Sequence, residues 1–200
     1  MPPGLSRAKL GKRIEHLRIV HYGHPALRRR ATRVGRVTHD LEDLVSRMAE
    51  LMRAAGGLGL AANQVGIPRR VAVVQMDDEL AVLIDPEIAS ASGAEVATEG
   101  CLSLPRLYGD VARPTEVVVK ARDLSGKRIE IAAQGLLARA LCHEVDHLNG
   151  KLFIDLVDES TLHWLVAPAT EEADQVIQPT TLPEALKVFT SAQAASGREE

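Results

Sequence analysis

The stretch CHEVDHLNG, residues 142–150, constrains the fold more than any other short segment of this chain. Two histidines four apart face the same way on a helix, with Cβ atoms roughly 5–6 Å apart. His143 and His147 can then both turn a ring nitrogen onto one ion about 2 Å from each. Glu144 stands about 100° further round the same helix. It can therefore take a proton from water activated at such an ion without being a ligand. The bland alternative is a solvated helix face that carries two histidines and an acid by accident.

A catalytic metal site needs a third protein donor and an open position. The long three-histidine pattern places its third His six residues after the second, with a glycine between them. Gly150 fits that glycine, but the required position is Phe153, so this route fails. Two other sources remain open. A downstream carboxylate, Glu171 or Glu172, is one; the thiol of Cys101, in TEGCLSLP, is the other, and a thiolate is a strong soft ligand for zinc or iron. Cys101 and Cys142 could form one disulfide, but without an export signal free thiols are the expectation.

The helical period extends from Gly135 to about Leu148 around that motif. A second helix is marked by Leu41, Leu44, Val45, Met48, Leu51, Met52 and Ala55, with Asp40 as its N-cap and Gly56–Gly57 ending it. RRVAVVQM reads as a strand, Asp77–Asp78 as a turn, and LAVLI as a strand closed by Asp85–Pro86. EVVVKARDLSGKRIEIAA reads as a hairpin about a Ser-Gly turn. PEALKVFTSAQAA is a short helix with Pro183 in its first turn. Short strands mixed with two or three helices predict an α+β domain rather than alternating βαβ units. With 200 residues one domain with a real core is expected. Only 2% of residues are aromatic, so that core must rest on Val, Leu, Ile and Ala. No apolar run approaches the length needed to span a bilayer.

Three segments, GLGLAANQVG (57–66), EGCLSLP (99–105) and CHEVDHLNG (142–150), resemble the three signature motifs of the peptide deformylases, in the family's order. The similarity extends from about Leu17 to Asp155. It implies a metal-dependent hydrolase that removes the formyl group from the N-terminal formyl-methionine of new proteins and releases formate. It implies one divalent metal per chain on Cys101, His143 and His147, natively Fe(2+) and replaceable by Zn(2+), Ni(2+) or Co(2+). The implied fold is α+β, with antiparallel sheets around a central HExxH helix.

The resemblance also assigns roles. Glu144 carries the proton, while the Gln64 amide and the backbone N–H of Leu102 stabilise the oxyanion. Gly57, Leu58 and Gly59 lie along the peptide substrate, which adds as an extended strand. Leu136 and Ala140, seven and three residues before His143 on one helix face, join Leu58 and Leu102 in a methionine pocket, though plain core is the ordinary reading of such spacing. Arg139 is expected at the rim. Glu99 and Arg113 pair and brace the ligand loop, with Asp146 as another candidate acid. Cys142, where many members have glutamine, reads as core.

The expected organisation is a catalytic domain over residues 1–157, with 1–16 a flexible leader, and a partly helical extension over 158–200. Residues 1–40 carry ten Lys/Arg against two acids, and residues 155–200 carry nine acids against two bases. Arg28–Arg29–Arg30 is either a solvated face or a contact for a polyanion such as RNA; no specific nucleic acid is implied. In the family's best-known bacterial pattern a basic C-terminal helix is thought to help dock the enzyme on the ribosome. Here PEALKVFTSAQAASGREE holds only Lys187 and Arg198 against three acids, which leaves the basic N-terminal region as the candidate ribosome contact. Nascent formyl-methionyl chains are the implied partners, and the bacterial cytoplasm is the implied location, with an organelle left open. The rivals are a zinc endopeptidase using Glu171 or Glu172 and a non-catalytic peptide-binding relative.

Overall fold

A computed structural model describes residues 14, 16–166 and 176–196, with the side chains of 192–196 left aside. Most of the expected leader, Glu171, Glu172 and Arg198 lie outside the described residues. Among the described residues are two antiparallel sheets and three α-helices.

The first sheet joins β1 (Gly59–Ala61), β2 (Val71–Met76), β3 (Glu79–Ser92), β6 (Glu116–Arg122) and β7 (Arg128–Gln134) in that order. The second joins β4 (Glu95–Cys101), β5 (Leu104–Arg113), β8 (His163–Val166) and β9 (Val176–Pro179). The helices are α1 (His39–Ala54), α2 (Gly135–Leu148) and α3 (Leu182–Ser196). The architecture is α+β, as the mixture of short strands and few helices implies.

The run VAVV in β2 is apolar without alternation because the strand is covered on both faces. Val71 and Val73 pack into the cluster formed with Leu41, Leu44, Met48 and Met52 of α1. Ala72 and Val74 turn to the other side and meet Ala138, Leu141, Cys142 and Leu148 of α2. A third cluster lies under the second sheet: Leu104, Leu107 and Val111 of β5 pack with Leu27, Phe153, Leu162, Ala185 and Phe189. Phe153, the residue standing where a third histidine was sought, is 1% exposed and anchors this core.

Two local expectations need correction. Helix α1 begins at His39, so Thr38 is the N-cap and Asp40 lies in the first turn, where its charge suits the helix dipole. At the other end Gly56 takes φ +66° and the Gly57 N–H donates to Met52 O, the left-handed stop that the Gly-Gly pair predicts. Strand β3 does not close at Asp85–Pro86. The ladder slips between Ile84 and Glu87, Asp85 adopts φ +55°, and pairing resumes to Ser92. The bulge leaves Pro86 needing no donor, while the Asp85 carboxylate accepts from Val34 N–H and from Arg122. Strands β8 and β9, which the sequence did not announce, lengthen the second sheet through Leu107–Trp164 and Tyr108–His163 pairs.

Helix α2 packs its backbone on the first sheet and reaches the second through its side chains. Arg70 holds its C-terminal end, with Nη1 2.9 Å from Asn149 Oδ1 and Nη2 2.8 Å from Pro86 O. Gly150 follows at φ +76°, where a Cβ would come within 2.7 Å of Arg28 O.

Candidate metal centre

Helix α2 carries His143 and His147 with ring centroids 4.9 Å apart, edge to face. Cys101 ends β4 and precedes the turn Leu102–Ser103, so its thiol is delivered from the second sheet to a helix seated on the first. Its Sγ lies 3.2 Å from His147 Nε2, and the donor atoms of Cys101, His143 and His147 all lie within 4.8 Å of one another. The sequence left the third donor open between this thiol and a tail glutamate; the fold brings the thiol.

Behind the donors lies a closed set of charges. Glu99, 5% exposed, accepts from Arg113 Nε at 2.8 Å and Nη2 at 3.1 Å, from Arg139 Nη1 at 2.8 Å and from His143 Nδ1 at 3.0 Å. Arg113 Nη1 also reaches Asp146 Oδ2 at 2.5 Å. Burial by itself would raise the Glu99 pKa, but the bonds from His143 and Arg113 outweigh it and hold the carboxyl at about 2. Glu99 and Asp146 in turn raise the Arg113 pKa despite the burial that opposes its charge. Glu99, Arg113 and Asp146 thus meet as the sequence proposed. Arg139 borders the cleft but is no free rim charge. It is 7% exposed and donates to Glu99, Val111 O and Glu95 O, because the acceptors come from strands that helical spacing alone does not reveal.

This arrangement fits a borderline metal ion. The Glu99 carboxylate takes the Nδ1–H of His143 and leaves the Nε2 lone pair for an ion, the usual outer support of a ligating imidazole. Burial and the nearby His143 push the His147 pKa well below its ordinary value, so that ring offers a neutral donor. One thiolate with two imidazoles is a donor set for zinc or iron.

Cys101, His143 and Glu144 open onto a cleft of about 600 Å³. Glu144 is 3% exposed and burial pushes its pKa up to about 7, against the pull of His143. Its Oε2 has no hydrogen-bond partner among the described residues. The glycine loop before it is shaped by this group: a Cβ on Gly59 would sit 2.5 Å from Glu144 Oε1, and one on Gly57 2.7 Å from Leu102 Cδ1. Gln64 lies in the 3-10 turn Ala62–Val65 and is buried. Its Oε1 accepts from Ala61 N–H at 2.8 Å, which turns Nε2 toward Cys101 Sγ, 3.6 Å away.

Leu58, Leu102, Leu136 and Ala140 all border the cleft, with Leu58 47% and Leu136 65% exposed. Cys142 instead faces the core between α2 and the first sheet, and burial raises its thiol pKa. Both cysteines are free. The sequence reading missed Ile19, His21, Pro105, Arg106 and Tyr108, which complete the cleft wall. Ile19 arrives there because the Val20 N–H donates to Gln64 O, a contact with no local signal. It also missed Asn63, fully buried, whose amide donates to Ala26 O and Arg29 O and pins that segment under the glycine loop.

Fold and site together define an HExxH protein in which a thiol from a neighbouring strand stands where it could join the two histidines on a metal ion. Comparison with known proteins makes the assignment specific. The family model described as polypeptide deformylase matches residues 16–162. The peptide deformylase of Thermomicrobium roseum is 43% identical over 166 residues, 78% of this chain and 94% of the relative. Peptide deformylase 1 of Clostridium acetobutylicum is 48% identical over 139 residues, 70% and 93% of the two chains. Among solved structures, the actinonin complex of a Synechococcus elongatus peptide deformylase superposes with a TM-score of 0.69 at 43% identity. That match covers 71% of this chain and 79% of the other. A Legionella pneumophila peptide deformylase superposes with a TM-score of 0.72 at 33% identity, covering 92% of this chain and 99% of that one. The chain belongs to the polypeptide deformylase family.

Proposed function

We infer that this chain hydrolyses the formyl amide at the N-terminal formyl-methionine of newly made proteins, releasing formate and a free amine. One observation carries the reading beyond family membership. The Cys101 thiol closes on His143 and His147, with the Gln64 amide 3.6 Å from the same sulfur. That combination supports a thiol rather than a carboxylate as third ligand.

When bound, a divalent cation on Cys101, His143 and His147 supplies Lewis acidity toward the formyl oxygen and toward water. The remaining steps fall to side chains. Glu144, with a pKa near neutrality, accepts the proton of the attacking water and passes it to the departing amine nitrogen as the C–N bond breaks. Gln64 Nε2 and the Leu102 N–H donate to the oxygen that becomes negative; one such donor is worth about 3–4 kcal/mol in other enzymes. Glu99, Arg113 and Asp146 hold His143 in place. Gly57, Leu58 and Gly59 lie along the substrate backbone, and Leu102, Leu136 and Ala140 receive the methionine. We assign Fe(2+) as the native metal, with Zn(2+), Ni(2+) or Co(2+) as substitutes. Metal analysis of protein purified without air checks this, and zinc as the dominant ion would contradict it.

No helix among the described residues is long and apolar enough to cross a membrane. The proposed substrate, newly made formyl-methionyl chains, places the protein in the cytoplasm. A ribosome contact is assigned to the basic stretch around Arg29 and Arg30, both exposed. Arg28 is already committed to Asp155, with Nη1–Oδ2 at 2.5 Å. Loss of co-sedimentation with ribosomes in R29E/R30E would support this, and unchanged co-sedimentation would remove it. The catalytic reading is tested by formate release from formyl-Met-Ala-Ser, with Glu144→Ala as control. Release well above the control is expected, and none above it would reject the reading.

A further inference from the structure

The cleft holds one residue whose placement the hydrolysis itself does not explain. Between β4 and β5 the register slips: Gly100 pairs with Tyr108, but Cys101 pairs with Leu104. Pro105, Arg106 and Leu107 take up the difference, and Arg106 does so at φ +67°. That is the left-handed region, where glycine or asparagine is the natural occupant. A long charged side chain held there points to a function for the side chain, since the backbone alone would favour glycine.

The surroundings say which function. Arg106 is exposed and borders the same cleft as Glu144. Its Nε donates to Leu165 O of β8 at 2.9 Å, which fixes the guanidinium against that inner strand of the second sheet. Among the described residues it makes no ion pair. The other full charges of the cleft are otherwise occupied: Glu99 and Arg139 bind each other, and Glu144 is buried. Arg106 is therefore the exposed fixed cation on the wall. The apolar residues Leu58, Leu136 and Ala140 belong to other segments, so a methionine seated among them leaves Arg106 to a later residue of the peptide.

Resting on the deformylase reading, we propose that Arg106 is a specificity determinant. It favours formyl peptides that carry an acidic side chain at the second or third position, and it disfavours lysine there. Strand β8 sets this preference by clamping the guanidinium, so the tail contributes to substrate choice without touching the reacting atoms. The Nη atoms, which bond none of the described residues, present a planar pair of donors suited to a carboxylate.

The test uses C-terminally amidated peptides, so that the side chain supplies the sole carboxylate. Formyl-Met-Ala-Glu, formyl-Met-Ala-Gln and formyl-Met-Ala-Lys amides are compared, together with the set bearing Glu, Gln or Lys at position two. An exposed ion pair changes an equilibrium by up to about fivefold, and lysine adds repulsion. The expected kcat/KM therefore falls in the order Glu, Gln, Lys in at least one set, with a Glu-to-Lys ratio of roughly three- to tenfold at low salt. The difference should lie in KM and fade in about 0.5 M salt. R106K should keep much of the ratio, R106G should bring it close to one, and R106E should invert it. The ratio is internal to each variant, so a general loss of activity does not imitate the effect. Formate from every peptide with no charge preference in either set, or a ratio unchanged in R106G and R106E, overturns the proposal alone. No formate from any peptide overturns the deformylase reading and this proposal together.

Discussion

The floor of the cleft and its rim are built on opposite principles. On the floor, Glu99, Arg113, Arg139, Asp146 and His143 are linked by five side-chain bonds of 2.5–3.1 Å, and Glu99, Arg113 and Arg139 are under one-tenth exposed. At the rim Leu58 and Leu136 are about half or more exposed, and Arg106 hangs from a bulge. A buried charge costs several kcal/mol unless it is paired, so the floor is stable only when complete. The rim can vary without endangering the fold. Chemistry that needs fixed angles sits where error is costly, and recognition sits where change is cheap.

The comparison breaks most sharply at Arg113. Arg113→Met leaves Glu99 and Asp146 without their common cation, and a loss of about 3–5 kcal/mol of stability is expected. Urea unfolding of the variant measures it, and a change below about 1 kcal/mol would mean the floor is not a unit.

Next comes Gly59, where floor and rim touch. Gly59→Ala drives a methyl into the Glu144 carboxylate, and displacing that group should cost roughly 100-fold in kcat. The fold should persist, since the contact is with a side chain. Full activity would show that Glu144 has room to move.

Acid attacks the floor selectively. Glu99 has its pKa depressed from 4.5 to about 2, so its stabilisation is present above 4.5 and is lost as pH falls toward 2. About 2 kcal/mol of stability should disappear between about pH 6 and pH 3. Glu99→Gln should flatten that part of the stability curve. Parallel curves for both proteins would place the acid sensitivity elsewhere. The smallest effect belongs to the rim. Leu136→Ala should shift stability by no more than about 0.5 kcal/mol while raising KM for formyl-methionyl peptides. A stability loss above about 1 kcal/mol would assign Leu136 to the framework.

The same division governs what the sequence disclosed. His143, Glu144 and His147 were legible because helical spacing is a local rule, and Leu136 and Ala140 followed by the same period. The charge partners were half legible. Glu99 stands in a motif segment and Arg113 matches a position that the resemblance pairs with it, whereas Arg139 was misplaced because its acceptors Val111 O and Glu95 O lie on strands distant in sequence. Pro86 suggested a strand end, but a bulge absorbed it. Ile19, His21 and Arg106 were invisible, since a crossing segment and a register slip carry no periodic signature.

The third core gives the fold a timetable. Tyr22 and Trp164 both pack tilted against Phe189, at centroid distances of 6.3 and 5.5 Å, and Ala185 is fully buried in the same core. During synthesis from the N-terminus, the core-facing side of β5 therefore waits for α3, far downstream in sequence, before it is covered. The earlier two cores, which hold α1, β2 and α2, can assemble sooner. A protein that meets other chains as they begin thus completes its own third core only after α3 has been made.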